Sequence, residues 1–528
     1  MPDQRSRGEF PMTRKITAAE ALLRCAADSG VRVCFANPGT TEMALVSALD
    51  DIPNIKAVLG LFEGVCTGAA DGYGRMIGKP ALTLLHLGPG FANGIANLHN
   101  AHRANSPIVN LVGDHATWHL EADAPLTADI DSLARPVSSW TRRCGSPSGA
   151  VRDMHAAIVA ASSYPQKIST LILPTDIQQA PVEYKPCAKS ECETNVVAEE
   201  EVQKVAKLLS EEKSIALLLG RNALSLKGLE SAAAISDITG AELLSETFVG
   251  RAERGANLPK VTRLPYFPEP ATELLSKYRS IVLVGARPPI SFFGYEGIPS
   301  SLVPKTCQLD ILATELEDAE NALIDLSTEL NCKRTLAQGT SRPNSRPIGA
   351  LNPESLGQAI VAVQPDNCIV VDESATSGGP YTSISHLAAP HTVLQLTGGA
   401  IGQGLPCATG AAIACPDRAV IALQADGSAL YTVQALWTQA RESLNVTTII
   451  CSNRSYRILR IELARTGENN PREKAHSLTD LGNPSIDWAS IAKGFGVPAT
   501  RIERSEDLAK AIEVSVKNPG PNLIEAVL

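Results

Sequence analysis

The sequence predicts an α/β protein of three domains, each a mostly parallel sheet flanked by helices, and three observations predict it. Short apolar, β-branched runs alternate with helical patterns from one end of the chain to the other, the rhythm of parallel α/β layers. At 528 residues the chain is too long for one core, and its length suggests about three domains. Two stretches break the rhythm and divide the chain into rough thirds: polar and charged residues 186–200, and the Pro-, Gly- and Ser-rich residues 333–350. The expected units are a disordered extension over residues 1–15, then domains over 16–185, 196–335 and 350–528.

In the first third, Val31 to Phe35 reads as a strand, Asn37-Pro38-Gly39-Thr40 as a turn, and Thr41 onward as a helix capped by threonine. A second strand, Ile55 to Leu61, runs into Phe62-Glu63 and a helix carrying Gly64, Gly68, Ala69, Ala70, Gly72, Tyr73 and Arg75. So many small residues suit a helix packed almost backbone to backbone against another element. Glu63 would sit poorly solvated at the edge of that contact, where a carboxyl can hold or share a proton. The same position also suits an acid that merely favours the dipole of a helix's first turn. In the middle third, strands at Ile215 to Leu219 and Ile281 to Val284 end in Gly220 and Gly285, and neither continues as a dinucleotide fingerprint.

The last third is the most informative. Ala419 to Leu423 is an apolar run of strand length that delivers Asp426 at its carboxyl end; Ser428 to Arg441 can form a helix, and Val446 to Cys451 a second strand that delivers Asn453. Parallel strands joined by a helix place both oxygen ligands at one sheet edge, where open α/β folds bind ligands. One carboxylate, one amide oxygen and a backbone carbonyl suit a hard cation that bridges two phosphates. Gly427 permits close backbone approach, and the helix start offers N–H groups to an anion. Taken singly, Asp-Gly is an ordinary turn and Asn-Arg-Ser an ordinary loop.

Composition narrows the partners. A net charge of −9 with no basic run argues against nucleic acid or an anionic membrane, and no apolar stretch reaches bilayer length. Arg5, Arg7, Arg14 and Lys15 surround no apolar core, so the first residues are not a secretory signal, and Met12 is an alternative start. Twelve cysteines are scattered without a metal-binding spacing, Cys187 and Cys192 being the nearest pair, which fits reduced thiols in a cytoplasmic protein.

Asp426-Gly427-Ser428 with Asn453, and Phe62-Glu63 before the helix ending Gly72-Tyr73-Gly74-Arg75, resemble the thiamine-diphosphate enzymes of the acetolactate synthase and 2-oxo-acid decarboxylase group. Further landmarks are Asn37-Pro38-Gly39, Leu87-Gly88-Pro89-Gly90 with Asn93, and Gly399-Ala400-Ile401-Gly402 before Leu405-Pro406. The likeness runs from about Ile16 to Leu528 and is strongest to acetolactate synthase large-subunit homologues. The last third also looks like benzoylformate decarboxylase at Asp372-Glu373-Ser374 and from Ser428 to Thr438. It implies a thiamine-diphosphate-binding fold in the first and last domains and a Rossmann-like middle domain.

The resemblance also implies roles. Asp426, Asn453 and the Ser455 carbonyl would hold Mg²⁺; Gly427, Ser428 and the Tyr456 hydroxyl would hold the diphosphate of thiamine diphosphate, helped by Ala375 and Thr376. Ile401 would be the apolar wedge that bends the cofactor, the Gly399 backbone would accept a bond from its exocyclic amine, and Gly39 falls among the cofactor contacts. Glu63 would share a proton with the aminopyrimidine ring, and His86 would work beside the substrate, a small 2-oxo acid. Because the family's cofactor bridges the first domain of one subunit and the last domain of another, a homodimer is the minimum unit and a homotetramer the expected assembly. Ligation of the decarboxylated fragment to an acceptor is the first expectation, simple release of an aldehyde the second, and a cofactor-binding homologue without turnover the third.

Five departures stand out. Ala425 occupies the first position of a usual Gly-Asp-Gly, the chain stops directly after a last strand at Leu523 to Leu528 where acetolactate synthases often carry an arm, and no glycine pattern supports FAD. Ser291-Phe292-Phe293-Gly294-Tyr295 replaces a second working histidine, and Glu462 stands where the decarboxylase has an aromatic residue, which suggests a more polar substrate. His115, His119 and Asp123 have the spacing of one helix face, but a surface loop is the preferred reading.

Overall fold

The computed structural model describes residues 16–186, 194–332, 346–467 and 472–528. The extension 1–15, Cys187, Cys192 and most of the 333–350 stretch lie outside the described residues. Three sheets organise the chain. The first has six strands, all parallel, in the spatial order Lys56–Leu59 (β2), Val33–Asn37 (β1), Ala81–His86 (β3), Ile108–Asp114 (β4), Ile168–Pro174, Trp140–Arg143. The second is a five-stranded parallel sheet containing Ile215–Leu219 at its centre. The third has seven strands: Ala252–Arg254, His391–Gln395, Cys368–Glu373 (β5), Val420–Ala425 (β6), Val446–Ser452 (β7), Asn522–Val527 and Ala499–Ile502. All pair in parallel except the first, an antiparallel edge contributed by the middle of the chain.

Sheets covered on both faces need strands that are apolar throughout. β4 and β7 are buried at every position, as the near-continuous apolar runs demand. The small-residue helix, Glu63–Ile77 (α1), is buried from Glu63 to Met76. It crosses Gly404–Ala414 (α3) at backbone contact: a Cβ on Gly72 would strike the Cys407 carbonyl, and one on Gly410 the Ala69 carbonyl. Val65 and Met76 thereby enter the core of the third sheet, beside Leu405 and Ile369. Burial of two such side chains stabilises by roughly 1.5–3 kcal/mol each. An ion pair locks the crossing: Arg75 binds Asp71 through two nitrogens, both residues being buried, and donates to the carbonyls of Gln395 and Gly250.

Two local expectations need correction. The helix expected over Ser428 to Arg441 is broken into Asp426–Ala429 (α4), a 3₁₀ turn at Leu430–Thr432, and Ala435–Arg441. The Thr432 hydroxyl donates to the Gly402 carbonyl (2.7 Å), which pulls the turn toward the neighbouring loop. The helix expected to be capped by Thr41 begins at Met43, after a 3₁₀ turn at Thr40–Glu42. Thr41 is no cap because its hydroxyl donates to the Glu42 carboxylate (2.6 Å).

Candidate active site

β6 and β7 are adjacent and in register, Ala425 opposite Cys451, so their carboxyl ends bring Asp426 and Asn453 to one edge. Asp426 is 1% exposed. One of its oxygens accepts from its neighbour Gly427 N (2.8 Å), the other from Arg454 N across the edge (2.6 Å). Burial pushes the Asp426 carboxyl above its ordinary range, opposed by those backbone bonds. The hydrogen bonds are to backbone, so the charge lacks a neutralising partner of the kind a buried carboxylate needs. Asn453 Oδ1 faces the same edge and accepts from Ser455 N (3.0 Å). A carboxylate, an amide oxygen and a nearby backbone carbonyl are hard donors that suit a divalent magnesium ion completing its shell with phosphate oxygens and water.

Gly427 is obligatory for packing, since a Cβ there would run into the Tyr456 ring. Ser428 is buried one residue further into α4, and Ala375 and Thr376 follow β5, the strand beside β6. Ala375 at φ 50° and Arg454 at φ 55° are non-glycine residues in the left-handed region. Such strain persists where surrounding structure over-determines the backbone, as ligand clamps do.

A second cluster stands on the first sheet. Glu63 begins α1, is 9% exposed, and accepts from Asn93 Nδ2 (3.0 Å). Asn93 lies on Leu87–Ala104 (α2), the helix that follows β3 and its last residue, His86. The site where a Gly90 Cβ would stand lies 2.9 Å from Glu63 Oε1 and 3.3 Å from His86 Cβ, so this glycine lets the two side chains flank it. Gly39 lies beneath the His86 ring, which a Cβ would strike.

The loop 398–403 joins the two clusters. Asn100 donates to the Ala400 carbonyl (2.7 Å) and accepts from Ala400 N (3.2 Å), and Asn97 donates to the carbonyls of Gly64 and Gly402. Asn97, one turn along α2 from Asn93, thus ties the residue after Glu63 directly to the loop. Gly399 has φ 77°, and Ile401 sits between two anchored residues, Ala400 and Gly402.

Two residues to which sequence reasoning assigned no role, Glu373 and Glu42, complete the site beside Phe292 and Glu462. Glu373, 3% exposed, accepts from the N–H groups of Gly402 (2.7 Å), Gln403 (3.3 Å) and Gly404 (2.6 Å), holding the loop against β5. Glu42, fully buried, accepts from Gly39 N (2.7 Å) and meets His86 Nδ1 at 2.8 Å. The Gly-Thr-Thr-Glu spacing could have flagged the bond from Gly39 N to Glu42, but not its partner His86 on β3. Phe292 packs beside Gly399 within a cluster that includes Phe248, Tyr266, Phe267 and Phe293. Glu462 is engaged by the Tyr295 hydroxyl (3.0 Å) and faces Arg465 (3.8 Å), so its charge is partnered within the protein.

His119, in the short 3₁₀ segment Thr117–Ala122, contacts His115 just before it edge to face, and among the described residues no group of three or more His, Cys, Asp or Glu could hold a metal. Nor is any helix among them long and apolar enough to cross a membrane.

Comparison with known proteins follows the same division of the chain. Residues 16–134 match the thiamine pyrophosphate enzyme, N-terminal TPP binding domain, and residues 379–526 the C-terminal TPP binding domain. The chain is 47% identical over 516 residues to "Putative acetolactate synthase large subunit IlvX" of Mycobacterium tuberculosis, covering 97% of this chain and 99% of that one. It is 27% identical over 524 residues to benzoylformate decarboxylase of Pseudomonas aeruginosa, covering 94% and 96%. A solved thiamine diphosphate-dependent 4-hydroxybenzoylformate decarboxylase of Rhodococcus jostii superposes with a TM-score of 0.84 at 25% identity, over 97% of this chain and 98% of that one.

Proposed function

The chain belongs to the thiamine pyrophosphate enzyme family, and we propose that it decarboxylates a 2-oxo acid with thiamine diphosphate and Mg²⁺ and joins the remaining fragment to an acceptor. The observation that carries this reading is Asp426, a buried carboxylate hydrogen-bonded to backbone, with Asn453 beside it at one sheet edge. Thiamine diphosphate, when bound, supplies the carbon nucleophile and the electron sink for loss of carbon dioxide.

The chain's own residues do the rest. Asp426, Asn453 and the Ser455 carbonyl hold the magnesium ion; Gly427, Ser428, Tyr456, Ala375 and Thr376 hold the diphosphate. Glu63, its carboxylate oriented by Asn93, would share a proton with the cofactor's aminopyrimidine ring. Ile401, fixed by the anchored residues on either side, presents an apolar wedge, and the Gly399 backbone would accept a hydrogen bond from the cofactor's exocyclic amine. Gly39 keeps backbone, rather than side chain, under His86.

His86 favours a second reading, release of an aldehyde, because an imidazole with a free nitrogen can protonate the product. The name of the benzoylformate decarboxylase relative supports that reading, and the name of the 47% relative supports ligation. The retained Glu63, Asp426 and Asn453 speak against a homologue without turnover. The working assembly is a cytoplasmic homodimer, paired into a homotetramer.

The test is a screen of purified protein, loaded with thiamine diphosphate and Mg²⁺, against a panel of 2-oxo acids including pyruvate. Carbon dioxide with a ligated hydroxy acid supports the first reading, and carbon dioxide with free aldehyde the second. No carbon dioxide from any of them overturns both.

A further inference from the structure

We propose that Glu42 is a positioning residue that keeps a proton on His86 Nδ1, so that Nε2 alone exchanges protons with the substrate and sets how much product leaves as aldehyde. The proposal rests on the decarboxylation reading above. The pair is built rather than incidental. Glu42 is fully buried, and its carboxylate is fixed at three points: Gly39 N at 2.7 Å, Thr41 Oγ at 2.6 Å and His86 Nδ1 at 2.8 Å. Two glycines make the room, for a Cβ on Gly113 would strike the Glu42 carboxylate and one on Gly39 the His86 ring. The residue after His86, Leu87, is held at φ 52°, a left-handed conformation that a side-chain-bearing residue adopts only where the surrounding structure imposes it.

A carboxylate has only acceptor sites, so a ring nitrogen 2.8 Å away must carry the proton between them. The Thr41 hydroxyl, 3.2 Å from the same Nδ1, gives its own proton to Glu42. His86 Nε2 has no hydrogen-bond partner among the described residues, and the ring is on the accessible side of the pair, 23% exposed against 0% for Glu42. The other charged groups nearby are placed differently. Glu63 lies across Gly90 and is bound by Asn93, and Asp114, at the end of β4, is bound by Arg143.

Release of an aldehyde replaces the carboxylate of a 2-oxo acid by hydrogen: RCOCO₂⁻ and one proton give RCHO and CO₂. The proton passes from Nε2 to the carbon and is replaced from solvent, while Glu42 keeps its bond to Nδ1. Ligation forms a carbon–carbon bond at that position instead and needs no proton there. A glutamine at 42 can turn its amide N–H toward Nδ1, which moves the ring proton to Nε2 in the neutral ring and withdraws the ionised carboxylate that supports the charged ring.

Long-range ¹H–¹⁵N spectra of the histidine-labelled full chain without cofactor, at a pH where the ring is neutral, read the tautomer directly. The expected result is Nδ1–H for His86 in the natural protein and Nε2–H in Glu42→Gln. An Nε2–H tautomer in the natural protein overturns the proposal whether or not the variant folds. In the loaded enzyme, Glu42→Gln should lower the rate of aldehyde formation by about 10²–10⁴-fold. KM should change far less, and Glu42→Gln/His86→Ala should be no slower than His86→Ala alone. Losses that add in the double variant would show Glu42 to be structural only. Absence of carbon dioxide from every 2-oxo acid would overturn the decarboxylation reading, while the tautomer result would still decide the Glu42–His86 pairing.

Discussion

Glu63 and Asp426 divide the proposed chemistry between two side chains that different substitutions can separate. Glu63→Gln keeps the shape and the bond from Asn93 but removes the carboxylate, so thiamine diphosphate should still bind while turnover falls by about 10²–10⁴-fold. Binding by titration calorimetry and steady-state rates check both halves; unchanged turnover refutes the proton role. Asp426→Ala should instead weaken Mg²⁺-dependent cofactor binding by on the order of 10²-fold or more, seen as cofactor lost on chelation. Glu373 makes a pH prediction. Burial pushes its carboxyl from 4.5 up to about 7, against the three N–H donors that favour its charge. Between those values the native state holds a proton that the unfolded chain has lost, so this contribution is full below about 4.5 and lost as pH rises through about 7. Glu373→Gln should flatten a fall of about 3 kcal/mol across that window in denaturant titrations. Asp426 and Asn453 were legible because each ends an apolar run of strand length. Glu42 and Glu373 were not, because what they hold lies on other strands or loops, and one-dimensional spacing carries no pairing between β1 and β3 or between β5 and the 398–403 loop.

At the scale of elements, the crossing of α1 and α3 sets the distance between the first and third sheets. Gly410→Ala would place a methyl group against the Ala69 carbonyl, a backbone atom that cannot rotate away. Overpacking of this kind costs about 1–3 kcal/mol, and Gly240→Ala is no proper control because its backbone is left-handed. Gly494→Ala, with open space around it, is the control expected to leave the thermal midpoint nearly unchanged. The small residues of α1 announced close packing from sequence alone, yet not its partner, since α3 lies more than three hundred residues further along the chain. The broken helix after Asp426 was illegible for a related reason. Helical propensity runs through Leu430 to Thr432, and a hydroxyl bonding to a distant carbonyl overrides it.

For the whole molecule, alternating strand and helix patterns were enough to predict an α/β fold of mostly parallel sheets, which the strand pairings and the family domains both show. What the pattern could not reveal is how the sheets share material. Arg75 and Asp71 on α1 reach the carbonyls of Gly250 and of Gln395, at the end of its strand, and the side chain of Gln403, so three separate regions meet on one buried ion pair. Such a pair contributes little net stability when intact and costs roughly 3–5 kcal/mol when one partner is removed.

The antiparallel strand Ala252–Arg254 has a consequence for anyone who divides the chain. It seals the open border of the third sheet along His391–Gln395. A fragment beginning at residue 346 would leave that row of amide and carbonyl groups unpaired, the usual template for intermolecular strand addition. Such a fragment should aggregate during expression, and supplying residues 246–258 as a separate peptide should improve its solubility; a monodisperse fragment without the peptide would contradict this. The last third of the protein therefore borrows its quality control against self-association from a sequence that precedes it by more than a hundred residues.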